Sequence, residues 1–305
     1  MKKILLVASL LCVLFVFGQK INVAAGNIEV YANFPSKFVS PRNISVWLPE
    51  NYYPKKKYAV LYMHDGQMLF DANSTWNRQE WGVDECLTKL TRENKIRNVL
   101  VVGIWSSPSD RHANYFPQKP FDSLSAKEKE KISTILKEAK VMAEDFEPNS
   151  DAYLKFIVEE LKPFIDQTYS TRKEMHYTFT AGSSMGGLIS MYAVCEYPTV
   201  FGGAACLSTH WPGALDDPKN PIPAAFFSYM RKNLPESSTH RFYFDFGTTT
   251  LDAGYEPHQN KVDIILKEKG YTTENWLTKK FEGADHSENA WRERLAIPME
   301  FILRK

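Results

Sequence analysis

"HYTFTAGSSMGGLIS", residues 176–190, sets Ser184 midway between Gly182 and Gly186. The residues from Tyr177 to Ala181 read as a short β-rich strand, and those after the serine put Leu188, Met191, Tyr192 and Cys195 on one helical face that Pro198 ends. Strand, tight turn and helix in that order lift a serine hydroxyl clear of the backbone. The two flanking glycines are expected to remove Cβ atoms that so sharp a bend would drive together. The free N–H groups and positive dipole end of the helix then face the point where an oxyanion would form. The plain alternative is a glycine-rich turn that only packs, and the surrounding chain discriminates between the two.

Strand-like runs occur at 27–34, 43–49, 58–64, 98–104, 176–182, 202–208, 241–247 and 275–281, with helical runs at 79–92, 151–168, 186–197, 220–233, 257–269 and 288–303. Strands alternating with helices predict an α/β class: a mostly parallel eight-stranded sheet with helices on both faces. The first two strands, joined without a helix, predict an antiparallel edge. A helical insertion near 119–150 interrupts the alternation. Within it, "SAKEKEKISTILKEAKVMA" (125–143) opens on a capping box, Ser125 with Glu128, and places Ile132, Ile135, Leu136, Ala139, Met142 and Ala143 on one face. It reads either as a solvated decoration or as a cap over a site at the carboxyl ends of the strands.

The chain opens with "MKKILLVASLLCVLFVFG" (1–18), two lysines and a short apolar run with no stop-transfer charges after it. That pattern predicts a secretory signal peptide cleaved near Gly18 and export to the periplasm or beyond, without a membrane anchor. Leu11 precedes Cys12 where lipidation would want a small residue. Residues 19–305 then form one domain, and 44% hydrophobic with 13% aromatic residues suffices for a full core. A formal net charge of +1, turned slightly negative when Lys2 and Lys3 leave, supports no nucleic-acid partner. Cys86, Cys195 and Cys206 remain, an odd number that excludes a disulfide framework and leaves room for at most one bridge.

A nucleophilic serine needs a base and an orienting acid, which follow the serine in this fold class in the order Asp or Glu, then His. His286, in the polar loop of "FEGADHSENAW" (281–291), fits the base better than His210, His240 or His258. Asp252, beyond the strand at 241–247, is the preferred acid; Asp245 within that strand and Glu256 at the next helix are the alternatives. Met185 N–H supplies one oxyanion donor. The second is expected from Gln67 in "YMHDGQMLFD" (62–71), where Gly66 permits a tight turn. His64 and Asp65 are adjacent but lack a matching cluster, so no metal and no cofactor is expected. Trp211 and His210 after the strand at 202–208, and Trp105 after the strand at 98–104, are expected to form an aromatic substrate-binding wall.

The stretches "PRNISVWLPENY" (41–52), "YAVLYMHDGQMLFD" (58–71), "NVLVVGI" (98–104) with Arg111 downstream, "AGSSMGGLIS" (181–190) and "DHSENAW" (285–291) together resemble the esterase D-like family of α/β-hydrolases. That family includes feruloyl and acetylxylan esterases, siderophore esterases, S-formylglutathione hydrolases and mycolyltransferases. The resemblance implies an α/β-hydrolase fold, Ser184 as nucleophile, His286 as base, and Gln67 with Met185 as oxyanion donors. Asp252 stands farther from Gly247 than the family's acid often does from its glycine, and the helix at 125–143 is longer than in many members. The expected activity is a secreted serine carboxylesterase acting on feruloyl-type or acetyl esters of small molecules or oligosaccharides. The signal peptide argues against intracellular S-formylglutathione hydrolysis, and the near-zero charge against an anionic siderophore. Siderophore hydrolysis, acyl transfer, and non-catalytic carbohydrate binding through Trp76, Trp105, Tyr115 and Trp211 are the alternatives.

Overall fold

The computed structural model describes residues 21–138, 146–214 and 219–305. The leader at 1–18 and the end of the inserted helical pattern, including Ala139, Met142 and Ala143, lie outside the described residues. All eight expected strands form: β1 (Asn27–Phe34), β2 (Arg42–Leu48), β3 (Ala59–His64), β4 (Val99–Ile104), β5 (Thr178–Ser183), β6 (Gly203–Leu207), β7 (Arg241–Phe246) and β8 (Trp276–Lys280). They make one sheet in the order β1-β2-β4-β3-β5-β6-β7-β8. β1 pairs with β2, and β2 with β4, antiparallel; every later pairing is parallel.

Side-chain alternation along β3 divides the core. Val60 and Tyr62 join a cluster on one face with Phe156, Tyr192 and Phe244, while Leu61 and Met63 join a second on the other with Leu87, Trp291 and Met299. The helices follow the expected runs, with some differences. Helix α1 (Val83–Arg92) begins later than the pattern at 79–92 because Gly82, at φ +60°, takes the left-handed conformation that ends the preceding loop. Five-residue helices α2 (Arg111–Tyr115) and α3 (Gln118–Asp122) precede α4 (Ala126–Glu138), whose start carries the expected capping box: Ser125 N donates to Glu128 Oε2 at 2.8 Å and Glu128 N to Ser125 Oγ at 3.4 Å. The run at 151–168 is α5 (Ser150–Lys155), a π-helical stretch (Phe156–Leu161) and α6 (Lys162–Thr168), the ladder widening just before Pro163, which has no N–H to donate.

Behind β5 runs α7 (Met185–Glu196), buried on nearly every side. Then come α8 (Ile222–Asn233) and α9 (Glu256–Glu268). The last pattern divides into α10 (Glu288–Arg294) and α11 (Ala296–Leu303), since Pro298 cannot donate to the carbonyl four residues back. Buried Ile132 and Leu136 of α4 pack into the cluster that holds Phe116, Phe121 and Phe226. Cys86, Cys195 and Cys206 are free thiols. No helix among the described residues is long and apolar enough to cross a membrane.

Candidate active site

Ser184 sits between β5 and α7 at φ +57° and ψ −123°, a conformation that costs a non-glycine residue energy and survives only where its surroundings enforce it. Here they do. Ser184 N donates to Leu207 O of β6 at 2.9 Å, and Ser184 O accepts from Gly187 N at 3.0 Å and His210 N at 3.2 Å. A Cβ on Gly182 would lie 2.7 Å from the Gly186 carbonyl, so position 182 admits only glycine. Gly186 is different from expectation: a Cβ there would meet His64 Cβ at 3.5 Å, an ordinary contact. The second tight glycine is Gly187, whose Cβ would lie 2.8 Å from Thr209 Oγ1.

His286 shares a cleft with Ser184. Its Nδ1 is 2.5 Å from Asp252 Oδ1, and the other Asp252 oxygen accepts from Gly247 N at 2.6 Å and Ser208 Oγ at 2.5 Å. Asp252 is fully buried in a 3-10 turn (Thr250–Gly254) beyond β7, and Thr250 Oγ1 accepts the backbone N–H of His286 at 2.9 Å. The imidazole stands edge-on to Tyr255 and Trp291, with ring centroids 5.9 and 5.1 Å away. The alternatives go elsewhere. Asp245 binds Arg294 Nη2 at 3.0 Å, Tyr243 OH at 3.0 Å and Ser208 N at 3.1 Å; Glu256 pairs with Lys280 at 2.9 Å. His240 Nε2 meets Pro198 O at 2.8 Å, and His258 packs beside Phe227.

Across the cleft, a 3-10 turn (Gly66–Met68) follows β3. Its left-handed residue is Asp65, at φ +55°, and not Gly66. Gly66 has another reason: its Cβ would lie 2.4 Å from the Gly103 carbonyl carbon, so glycine lets the turn sit directly on β4. Asp65 receives a two-pronged pair from Arg111, Nε to Oδ1 and Nη2 to Oδ2, both 2.8 Å, and its N–H donates to Tyr115 OH at 3.1 Å. Burial alone would raise the Asp65 carboxyl, and the Arg111 guanidinium overrides it and holds it below the usual carboxylate range. Gln67 is fixed through its side chain, Nε2 donating to Ser106 Oγ at 2.8 Å and Oε1 accepting from Ser106 N at 3.1 Å. That leaves the Gln67 and Met185 backbone N–H groups without a carbonyl partner among the described residues.

A family model described as Putative esterase matches residues 36–300. The chain belongs to that family. Its chemistry is carboxylic ester hydrolysis. A ferulic acid esterase of known structure superposes with a TM-score of 0.63 at 16% identity, covering 91% of this chain and 98% of its own, which shows an α/β-hydrolase-type fold. An uncharacterized protein of Bacillus subtilis, YbbA, is 23% identical over 272 residues, 87% of this chain and 93% of its own. An endo-1,4-beta-xylanase/feruloyl esterase of Xylanibacter ruminicola is 24% identical over 292 residues, 92% of this chain but only 32% of that longer protein.

In this esterase the cleft encloses about 570 Å³, and the aromatic wall expected from sequence is not part of it. Trp211 is 1% exposed, packs between Phe227 and Phe244, and donates Nε1–H to Gln259 Oε1 at 3.0 Å. His210 turns its ring to Tyr255 OH at 2.6 Å and Ala214 O at 3.0 Å. Trp105 points back to Ser45 Oγ at 3.3 Å and packs on the second core cluster. Tyr115 is fully buried. The cleft is lined instead by Trp76, Trp81 and Trp291 among the tryptophans, with Arg111, Gln79 and Glu288. Pro108 and Arg111, which precede the inserted segment, line the cleft, and α4 does not.

Sequence reasoning also missed Ser208. Its hydroxyl accepts from Arg294 Nη2 at 2.8 Å and Trp291 Nε1 at 3.0 Å while donating to Asp252, which ties the acid to α10. Trp291 and Arg294 stand three apart on one helical face, and that spacing is the signal for a paired role. Two further histidines, His64 buried and His112 partly buried, are held as neutral groups. Burial pushes His64 down to about 3, with Tyr153 OH at 2.8 Å from its Nδ1, and burial does the same to His112.

Proposed function

We propose that the protein is an exported serine carboxylesterase with Ser184 as nucleophile, His286 as base and Asp252 as its orienting acid, residues 19–305 acting as one catalytic unit. The observation that carries this reading is the 2.5 Å contact between His286 Nδ1 and buried Asp252, at the rim of the cleft that Ser184 lines. With Nδ1–H donated to the carboxylate, Nε2 is the free base. Nε2 removes the Ser184 proton as Oγ attacks the ester carbonyl, and the resulting oxyanion accepts from the Gln67 and Met185 N–H groups. Collapse expels the alcohol, which takes the proton from Nε2. Water, deprotonated by the same Nε2, then cleaves the acyl-enzyme and releases the acid with Ser184 Oγ reprotonated.

The substrate we infer is a feruloyl-type or acetyl ester carried by carbohydrate. The xylanase/feruloyl esterase relative supports it, since a chain that joins those two names pairs ester cleavage with a polysaccharide. The test is labelling by a fluorophosphonate probe with hydrolysis of an ester panel. Ser184→Ala is expected to abolish labelling and lower kcat on methyl ferulate by a factor of roughly 10⁶, with folding unaffected. Residual activity within tenfold of wild type removes Ser184 from the role, and preference for long-chain lipid esters removes the carbohydrate substrate.

A further inference from the structure

Trp76 is 84% exposed, the most exposed large hydrophobic side chain among the described residues, and it lines the cleft that holds Ser184 and His286. An indole left in water forgoes roughly 1.5–3 kcal/mol of burial, and this one stands in the lining of the cleft, where a ligand could cover it. The loop that carries it is held in one shape. Asp71 Oδ1 accepts from Asn73 N at 2.9 Å, Asn77 Oδ1 accepts from Gln79 N at 3.1 Å, and Arg78 is turned back onto Asn73 O at 2.8 Å. Two bonds moor it to the start of α10: Asn77 Nδ2 to Glu288 Oε2 at 2.8 Å, and Asn289 N to Gln79 Oε1 at 3.3 Å.

Mechanistic geometry assigns this side of the cleft to one half of the substrate. The group that protonates a leaving oxygen must lie within hydrogen-bond reach of it, so the alcohol departs on the His286 side. Glu288 follows His286 by two residues, and its carboxylate holds the Trp76 loop, so these groups line the alcohol's path. The acyl half then lies toward Gln67, Ser106 and Arg111. The alcohol side presents an aromatic face, two amides and a carboxylate. Of the nearby cations, Arg111 is engaged by both oxygens of Asp65, Arg292 by Glu80 and Glu85, and Arg78 is turned back onto the Asn73 carbonyl. A negative ligand would meet the Glu288 carboxylate, whereas sugar hydroxyls can donate to the carboxylate and amide oxygens while a pyranose ring stacks on the indole.

Resting on the esterase reading, we propose that Trp76, Asn77, Gln79 and Glu288 form a leaving-group subsite for a neutral pyranose of an ester-bearing oligosaccharide. The test compares Trp76→Ala and Trp76→Phe on a feruloylated xylo-oligosaccharide and on methyl ferulate, with calorimetric binding of the saponified xylo-oligosaccharide to Ser184→Ala with and without Trp76→Ala. The expected result is a KM for the glycosylated ester raised roughly three- to tenfold more than that for methyl ferulate, partial recovery with Phe, and loss of the binding heat. Trp76 makes little packing contact, so an unchanged melting midpoint is expected beside the KM effect. Equal KM changes on both esters, or unchanged sugar binding, overturns the subsite while hydrolysis leaves the esterase reading standing. Trp76-dependent sugar binding by a chain that cleaves no ester supports the subsite and overturns the esterase.

Discussion

Two aspartates at the end of β7 occupy neighbouring environments and do opposite things. Asp245 is wholly buried and saturated: Arg294 engages both oxygens, Tyr243 OH and Ser208 N add donors, and burial raises its carboxyl even so. Asp252 is equally buried but divides its oxygens, one given to Gly247 N and Ser208 Oγ, the other turned to the imidazole at the cleft. Ser208, at φ +41°, touches both carboxylates, its N–H on Asp245 and its hydroxyl on Asp252. Burial by itself therefore does not mark a functional carboxylate. What distinguishes the two is that one Asp252 oxygen faces an imidazole at the cleft, which the proposed mechanism uses as base.

The sharpest way to break this contrast is Asp252→Asn, which keeps the shape and removes the charge that sets the imidazole tautomer. A loss of about 10⁴ in kcat is expected with a nearly wild-type denaturation curve. Asp245→Asn should invert the pattern. It leaves Arg294 buried without its counter-charge, so an equilibrium urea titration is expected to show roughly 3–5 kcal/mol of lost stability, with kcat per folded molecule within tenfold of wild type. If kcat falls further for Asp245→Asn than for Asp252→Asn while the fold survives, the orienting acid is Asp245.

A smaller effect sharpens the comparison from the histidine side, since His64 is buried like Asp245 and His286 reaches the cleft. Burial holds folded His64 near 3 against an ordinary 6.5. Below pH 6.5 the unfolded chain takes up a proton that the folded chain refuses, so stability falls with acid by about 1.4 kcal/mol per pH unit until the pH nears 3. His112 acts in the same direction, and Asp84, raised to about 7 chiefly by burial, opposes it over the same range. Comparing His64→Gln with wild type isolates the one group. The variant's stability should fall less steeply between pH 6.5 and 4, and parallel curves would place His64 outside the acid response.

The strands were legible because each is a compact apolar run bounded by turn residues, and the meeting of Asp252 with His286 could be anticipated because chain order in this fold follows strand order. Trp211 was not legible. Its place after β6 puts it at the carboxyl edge of the sheet, but nothing local says that the indole turns inward onto Phe227 and Phe244 and finds Gln259. Trp76 was visible as a candidate platform, but its standing in the cleft depends on loop 72–82 meeting α10, a contact between residues more than 200 positions apart. The choice among Asp245, Asp252 and Glu256 was open for the same reason, since the long-range pairs of Asp245 with Arg294 and of Glu256 with Lys280 do not show in the sequence.

The position of Trp291 and Arg294 has a consequence for biosynthesis. Both lie on α10, downstream of every strand, and together they hold the Ser208 hydroxyl that holds Asp252. A nascent chain can present Ser184 on its elbow once β5 and β6 have paired, yet His286 and the groups behind its acid emerge from the ribosome only after β8. On the proposed mechanism the serine is thus made long before its base, and a polypeptide interrupted before His286 would lack that base.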